Sequence, residues 1–377
     1  MSSTPIEKLC RPCTLEIVPY SPGKSSAEVQ AEIGPIEVTK LASNENPLGP
    51  SPRSVEAMRA ILEDVHIYPD PASTDLVAAL AERWNAPVDG IVCGRGSDEI
   101  IHMLGLAFLN PGDEVVYADP PFALYPLTAC ELDANHIAIP APDFRHNLDV
   151  FAEAISERTK LIFIANPYNP TGTINTAAEV AAFLDRVPDH CVVVFDEAYY
   201  EYVDDPSYPD ALEYVRQGRR VAVLRTFSKA YGLAGLRVGY GMTTPEIARQ
   251  LKRVMQPFNV SIMSQVAAVA GLADREHVEK SRRMVIDGRL RLYGELDRLG
   301  IFYVPSQANF VFLDAGVDSR ALFDQLMRRG VTVRTGDIFG YPTFIRVSIG
   351  TPEQMTKFTT ALEQALVALG SRIQAGG

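Results

Sequence analysis

Short β-branched apolar runs alternate with longer helix-period segments from Asp89 to Met242. Two of the runs, 161–165 and 192–195, are almost wholly apolar, which is typical of strands buried on both faces. The predicted strands are 91–93, 114–117, 136–139, 160–165, 191–195, 220–225 and 237–241. This alternation predicts an α/β fold with a mainly parallel central sheet in a large domain.

The pattern changes after Thr243. Long charged helices extend to about residue 299, and two apolar strands, 310–313 and 344–349, then flank a helix at 319–329. These elements predict a smaller α+β domain. The expected division of the chain is an N-terminal arm with part of the small domain (1–45), a large α/β domain (46–272) and a small C-terminal domain (273–377).

Charge and hydropathy exclude several classes of protein. The net charge of −12 argues against binding to nucleic acid or anionic lipid. The longest apolar run found, 266–273, is far shorter than the roughly 18 residues that a membrane span needs. Residues 1–8 lack a signal-peptide pattern and the five cysteines are scattered, so we expect a cytoplasmic chain with reduced thiols. Cys10 and Cys13 are interpreted as part of a flexible arm.

Common catalytic motifs do not account for this sequence. It contains neither HExxH nor GxSxG. Gly23-Lys24-Ser25 lacks the glycine that a nucleotide-binding loop needs five positions earlier, where Val18 stands. The six histidines are dispersed, and we predict no metal site.

A glycine-containing turn follows the first predicted strand. Cys93-Gly94-Arg95-Gly96-Ser97-Asp98-Glu99 leads into a helix predicted over 98–108, so the amides of Ser97 and Asp98 form a candidate anion site. Glu99 stands where the dinucleotide fingerprint has its third glycine. The turn therefore favours a single phosphate over NAD.

Three further polar segments follow predicted strands. A turn rich in proline holds Asn169, Asp196 ends an apolar strand, and Lys229 lies beyond the next strand with Arg237 eight positions on. A buried aspartate needs a cationic partner to stay ionised. Since open α/β sheets bind ligands at the carboxyl ends of their strands, we expect these groups to converge.

Pyridoxal phosphate requires such a combination of groups. Its aldehyde reacts with a lysine amine, its ring nitrogen needs an acidic partner and its phosphate needs an anion site. The sequence predicts this cofactor.

The chain also resembles the fold-type I pyridoxal-phosphate aminotransferases, of the histidinol-phosphate aminotransferase group. The resemblance extends from segments 19–24 and 41–50, the latter containing Asn44-Glu45-Asn46-Pro47, to 345–350. The Asn169-Pro-Thr-Gly turn and the Ser228-Lys229 segment carry the superfamily pattern. An aspartate-aminotransferase-like fold, with the cofactor in the large domain, is implied.

The same resemblance implies roles for individual residues. Lys229 is expected to bond the cofactor aldehyde and then to move the proton between the substrate Cα and the cofactor. Asp196 is expected to pair with the pyridinium nitrogen, Tyr199 and Asn169 to hydrogen-bond the ring phenolate oxygen, and Phe122 to stack on the ring. The implied phosphate ligands are Ser97, Asp98, Ser228 and Arg237.

Substrate and partner contacts are implied in the same way. Tyr68 matches a tyrosine that reaches the neighbouring subunit's phosphate, so a homodimer with shared active sites is expected. Arg346 matches the arginine that clamps the substrate's anionic end. Further substrate-contacting positions are Tyr20, Asn46 and Arg334. Phe122 replaces a tyrosine that many members carry, and 71–75 lacks the glycines often found after Tyr-Pro-Asp.

The expected activity is amino transfer between L-histidinol phosphate and 2-oxoglutarate in histidine biosynthesis. An aromatic amino-acid aminotransferase is the nearest alternative, because the cofactor residues are shared. A lyase such as a phosphothreonine decarboxylase and a catalytically silent regulator are the remaining alternatives.

Overall fold

The structure is a computed structural model that describes residues 5–15, 17, 24 and 26–371. The described strands are β1 (Thr39–Lys40), β2 (Ile91–Gly94), β3 (Glu114–Asp119), β4 (Asn135–Pro140), β5 (Thr159–Ala165), β6 (Val192–Asp196), β7 (Val221–Thr226), β8 (Gly239–Thr243), β9 (Phe302–Val304), β10 (Phe310–Asp314), β11 (Val331–Thr332), β12 (Arg334–Thr335) and β13 (Phe344–Ser348). The described helices are α1 (Pro12–Leu15), α2 (Ser26–Ile33), α3 (Pro52–Ala60), α4 (Thr74–Trp84), α5 (Ser97–Phe108), α6 (Leu124–Glu131), α7 (Leu148–Glu153), α8 (Ala177–Leu184), α9 (Ala211–Arg216), α10 (Pro245–Val254), α11 (Ile262–Ala273), α12 (Arg275–Leu299), α13 (Ser319–Arg328) and α14 (Pro352–Ala368).

The central sheet has the strand order β2-β8-β7-β6-β5-β3-β4 within the described chain. The pairs from β7 to β4 are all parallel, whereas β8 is antiparallel to both of its neighbours. β2 and β7 therefore point the same way as the parallel strands. Consequently the segments that follow β2, β5, β6 and β7 all emerge at one edge of the sheet.

Both faces of this sheet are covered. In β6, Val193 and Phe195 pack into one apolar cluster, while Val192 and Val194 pack into another on the opposite face. This alternation follows from the two-residue period of a strand. A run without polar residues therefore places every side chain in a core, as predicted for 192–195.

A second, smaller sheet has the order β12-β13-β10-β9 and is antiparallel. The N-terminal segment joins this part of the chain, because β1 pairs in parallel with β11. The predicted α/β class, with a mainly parallel sheet and a smaller α+β region, is confirmed. The domain limits at 45 and 272 remain predictions. Among the described residues, no helix is both long enough and apolar enough to span a membrane.

Some predicted boundaries differ from the structure by one or two residues. The strand predicted at 237–241 begins at Gly239, because Arg237 ends a 3-10 turn with a φ of 51°. A left-handed residue cannot continue a strand. The helix predicted at 98–108 begins at Ser97, since Gly96 with a φ of 81° occupies the N-cap position.

A buried ion pair joins β7 to the segment after β6. The Nη2 atom of Arg225 lies 2.8 Å from Oε2 of Glu197, and both side chains are fully buried. The rings of Tyr200 and Trp84 lie on the guanidinium, with centroids 3.4 and 4.2 Å from Cζ. Because desolvation offsets much of the attraction in a buried pair, its main effect is to fix the two segments relative to each other.

We expect Arg225→Met alone to lower the free energy of unfolding by about 3–5 kcal/mol, because Glu197 is left as an unpaired buried charge. The double variant Arg225→Met with Glu197→Leu should recover most of this loss, since two apolar side chains then fill the site. Urea unfolding of the three proteins measures the difference. A double variant as unstable as the single one would contradict this account.

Candidate active site

A cavity of about 270 Å³ opens where the strands of the central sheet end. The segments after β2, β5, β6 and β7 all contribute side chains to it. It is lined by most of the residues predicted from the sequence: Ser97, Asp98, Phe122, Asn169, Asp196, Tyr199, Ser228, Lys229 and Arg237. A larger cavity of about 1220 Å³, between α12 and α14, contains none of them.

Asp196 is the buried acid of this cavity. Its Oδ2 accepts a hydrogen bond from the Tyr125 hydroxyl at 2.8 Å, and its Oδ1 accepts one from the Ala198 amide at 3.2 Å. Burial raises the pKa of the Asp196 carboxyl to about 6, against the opposing effect of these hydrogen bonds. Near neutral pH the group therefore remains available as an anion.

Lys229 is the amine of the cavity. Its Nζ donates to the backbone carbonyl of Ser43 at 3.2 Å and lies 5.7 Å from the ring centroid of Tyr199. Burial, helped by the positive charge of Arg346, lowers the pKa of Lys229 to about 8. A substantial fraction of the amine is therefore neutral under mildly alkaline conditions, and a neutral amine is nucleophilic.

The Tyr199 phenol is held by a polar chain that crosses to β13. It accepts a hydrogen bond from Asn44 Nδ2 at 3.0 Å, while Asn44 Oδ1 accepts one from the Ser348 hydroxyl at 2.9 Å. Burial raises the pKa of Tyr199, so its hydroxyl keeps its proton. Tyr199 can therefore donate a hydrogen bond into the cavity.

One end of the cavity is suited to an anion. Ser97 begins α5, and its backbone amide lies at a helix N-terminus with positive potential. Arg237 Nη1 donates to the Ser228 hydroxyl at 3.3 Å, and its Nη2 forms an ion pair of 2.8 Å with Asp98. Since the Asp98 carboxylate orients Arg237, a phosphate contact from Asp98 would come through its backbone amide.

Close backbone packing keeps this end narrow. A Cβ on Gly239 would lie 2.4 Å from the Ser97 amide nitrogen, and a Cβ on Gly96 would lie 2.8 Å from Arg237 Nη2. Larger residues at either position would displace the anion-binding groups. Glycine is required here by close approach and, at Gly96, also by its positive φ.

The arginines predicted to bind substrate lie next to each other beside the cavity. Arg334 and Arg346 are directly opposite in the β12–β13 pair. Arg346 Nη1 donates to Asn169 Oδ1, and its Nη2 donates to the backbone carbonyl of Ala42 at 3.0 Å. Like charges directly opposite on two strands repel each other, so an anionic ligand between them would be stabilising.

Two other predicted residues, Asn46 and Tyr68, do not line the cavity. Asn46 Nδ2 donates to the Ala230 carbonyl at 2.9 Å, so this side chain anchors the loop that carries Lys229. Tyr68 is 77% exposed and stacks on Phe258. Tyr20 lies outside the described residues. The substrate and partner roles of these residues remain predictions.

Sequence reasoning missed several residues of the site. Tyr125 bonds Asp196, Ser43 accepts from Lys229, and Asn44 bonds Tyr199. Asn44 belongs to the same Asn-Glu-Asn-Pro motif as the predicted Asn46, so this motif could have identified it. No sequence pattern identifies Tyr125 as a site residue, because it lies 71 positions away from its partner Asp196.

The residues present fit the predicted cofactor. A cavity with an anion site at one end, a buried carboxylate and a depressed-pKa amine contains the groups that pyridoxal phosphate requires. Phe122 supplies an apolar ring within the same wall. No group of three or more metal-ligating side chains is found among the described residues.

Comparison with known proteins assigns the family. Residues 36–362 match the family model for aminotransferase class I and II. The chain belongs to this aminotransferase family. The family resemblance inferred from the sequence motifs is thereby confirmed.

Relatives of this aminotransferase include named enzymes. The histidinol-phosphate aminotransferase of Moorella thermoacetica is 51% identical over 358 residues, covering 95% of this chain and 93% of that protein. The enzyme of the same name from Symbiobacterium thermophilum is 45% identical and covers 92% of this chain and 96% of that protein.

Solved structures agree with this assignment. The crystal structure of histidinol-phosphate aminotransferase from Sinorhizobium meliloti in complex with pyridoxal-5'-phosphate matches with a TM-score of 0.88 at 28% identity, over 95% of this chain and 97% of that chain. A Thermus thermophilus aspartate aminotransferase variant, at 22% identity over 95% of this chain and 99% of that chain, shares the fold with a TM-score of 0.81. The expected aspartate-aminotransferase-like fold of this aminotransferase is confirmed.

The lowered pKa of Lys229 can be measured. In cofactor-free protein, the rate at which an amine-directed reagent modifies Lys229 should rise through a midpoint near pH 8, because the neutral amine is the reactive form. Peptide mass spectrometry at each pH gives this rate, and Lys8, an exposed lysine, serves as the internal control. A Lys229 midpoint at or above 10.5, the ordinary pKa of a lysine side chain, would contradict the effect of burial.

Proposed function

We propose that this aminotransferase uses pyridoxal 5'-phosphate to transfer an amino group between L-histidinol phosphate and 2-oxoglutarate, as a step of histidine biosynthesis. The observation that carries the proposal is the convergence of Lys229, Asp196 and the anion site at Ser97 in one cavity. The relatives named histidinol-phosphate aminotransferase support the choice of substrate.

The cofactor, when bound, supplies an aldehyde carbon that takes the amino group and a protonated ring that withdraws electrons from it. Asp196 holds the proton on the ring nitrogen, since an ionised carboxylate stabilises the protonated form. The hydrogen bonds from Tyr125 and the Ala198 amide keep Asp196 ionised despite its burial. Tyr199 and Asn169 line the same cavity and would hydrogen-bond the ring oxygen.

Lys229 performs the proton transfer. Its depressed pKa lets the free amine accept the proton from the substrate Cα and return it to the adjoining cofactor carbon. The carbonyl of Ser43 accepts a hydrogen bond from Nζ and so orients the amine. Ser97, the Asp98 amide, Ser228 and Arg237 hold the phosphate, and Phe122 packs on the ring.

The arginine pair supports an anionic substrate. Arg334 and Arg346 face each other across two strands, and a substrate phosphate or the carboxylate of a 2-oxo acid would offset their repulsion. Arginine binds both groups through paired N–H donors. One site can therefore accept histidinol phosphate and 2-oxoglutarate in alternate half-reactions, with Tyr20 as a further substrate contact and Asn46 as the anchor of the loop that carries Lys229.

An aromatic amino-acid aminotransferase is the second candidate. Phe122 favours it, because the phenyl ring adds apolar surface to the cavity without a hydroxyl for a substrate phosphate. The two arginines favour the first candidate, since a phosphate monoester carries more negative charge and more acceptor oxygens than the carboxylate of an aromatic amino acid.

A homodimer with shared active sites completes the proposal. Tyr68 is exposed and does not line the cavity of its own chain, which supports its expected contact with the partner's cofactor phosphate. Exposed apolar side chains precede it at Leu62, Val65 and Ile67. A second subunit would remove this surface from water. The five cysteines, all of them among the described residues, form no disulfide, which supports the cytoplasm as the compartment.

Substrate preference tests the main proposal. We expect kcat/KM for L-histidinol phosphate to exceed that for L-phenylalanine by more than about tenfold, because the phosphate adds a charge-assisted contact to the arginine pair. Lys229→Ala should abolish turnover of both. Steady-state assays with 2-oxoglutarate measure these values. Higher efficiency on phenylalanine would favour the second candidate, and carbon dioxide release without a 2-oxo acid would indicate a lyase.

Mixed dimers test the shared site. Lys229→Ala subunits should be inactive, and Tyr68→Ala subunits should bind the cofactor about tenfold more weakly, since a hydrogen bond to a charged group is lost. Hybrids of the two should regain one complete site, because the intact Tyr68 and Lys229 come from different chains. Activity measured after unfolding and refolding the mixture reports this recovery. No gain over the refolded parents would refute sharing.

A further inference from the structure

Glu45 is a charged residue of the cavity wall to which the reaction described above assigns no role. Its side chain is 46% exposed, so the carboxylate is accessible from solvent. It lines the same cavity as Lys229 and Phe122. A substrate entering the cavity therefore meets this carboxylate.

The backbone of Glu45 is held in place from both sides. Asn44 is bonded to Tyr199 and Ser348, and Asn46 is bonded to the Ala230 carbonyl. Both asparagines are buried. Because both neighbours are fixed, the backbone of Glu45 is held at the cavity wall, within reach of a ligand in the cavity.

The other carboxylates of the cavity already have partners inside it. Asp196 is bonded to Tyr125, and Asp98 forms an ion pair with Arg237. Glu45 contacts Lys40 at 2.8 Å in a solvent-exposed ion pair. Exposed pairs of this kind contribute little free energy, so Lys40 competes only weakly with a cation or N–H donor arriving in the cavity.

The cavity and its margin thus offer groups of opposite charge to one substrate. Arg334 and Arg346 suit an anionic group, whereas Glu45 suits a hydrogen-bond donor with positive character. An imidazole ring has such N–H groups, and a phenyl ring has none. If a phenyl ring lay beside Glu45, the carboxylate would lose bound water and gain no hydrogen-bond donor in its place.

We propose that Glu45 accepts a hydrogen bond from the imidazole ring of the amino donor and so selects this substrate over its phenyl counterpart. This inference rests on the proposed function and names the residue that recognises the ring. Glu45 is a specificity residue here, because it acts on the substrate side chain and not on the reacting atoms.

The test compares two ligands that differ only in the ring, L-histidinol phosphate and L-phenylalaninol phosphate. Their dissociation constants are measured by calorimetry on the cofactor-loaded Lys229→Ala protein, with and without Glu45→Gln. Glu45→Gln should raise the dissociation constant of histidinol phosphate about tenfold, because a charge-assisted hydrogen bond is weakened. The value for phenylalaninol phosphate should change less than about twofold.

The phenyl ligand also controls for indirect effects. The negative charge of Glu45 raises the pKa of Lys229, so Glu45→Gln could act through this lysine in the wild-type protein. In the Lys229→Ala protein this indirect effect is absent. Glu37→Gln alters an exposed glutamate outside the cavity and is the matched control for the change of charge. It should affect neither ligand.

Two results would overturn the inference: equal weakening of both ligands by Glu45→Gln, or no weakening of either. Failure of the proposed function is seen separately, in wild-type turnover, as higher efficiency on phenylalanine. Binding in the inactive background reports on ring recognition whichever amino donor the wild-type enzyme prefers.

Discussion

The site depends on removing an acid and an amine from water at the ends of neighbouring strands. Burial drives both groups toward their neutral forms and is the largest cause of a pKa of about 6 for Asp196 and about 8 for Lys229. The protein uses these shifts differently. Hydrogen bonds from Tyr125 and a backbone amide oppose neutralisation of the acid, whereas the positive charge of Arg346 favours the neutral amine. Near neutral pH one cavity therefore contains an acid that can ionise and an amine that can lose its proton, as the proposed proton transfers require.

The central sheet holds these groups close together. β6 and β7 are parallel neighbours, so Asp196 and the loop carrying Lys229 leave the sheet at the same edge. The buried pair of Arg225 and Glu197 joins the same two segments. Buried pairs of this kind contribute little net stability, and their value lies in fixing one arrangement. Asn44 then extends the network from Tyr199 to β13, the strand that carries Arg346, and so connects the cavity wall with the proposed substrate arginine.

The sequence predicted the elements whose physical cause is local. Apolar runs such as 161–165 and 192–195 identified buried strands, because a strand covered on both faces has no position for polar side chains. Polar segments that follow three neighbouring strands identified Asn169, Asp196 and Lys229, since parallel strands end at a common edge of the sheet. Errors of one or two residues arose where a backbone conformation decides the boundary. The left-handed φ of Arg237 and the glycine cap before Ser97 are examples.

The sequence by itself determined the α/β class, the mainly parallel sheet and the set of polar residues at its edge. These features follow from hydrophobic periodicity and from the polar residues after each apolar run, which are both local in the sequence. Only the tertiary structure decided which of those residues touch. Tyr125 reaches Asp196, Asn44 joins Tyr199 to Ser348, and Arg334 faces Arg346. Glu45 was part of a recognised motif, yet its place in the cavity wall became evident only in three dimensions. The physical reason is that contacts across tens or hundreds of residues follow from packing, which no local pattern encodes.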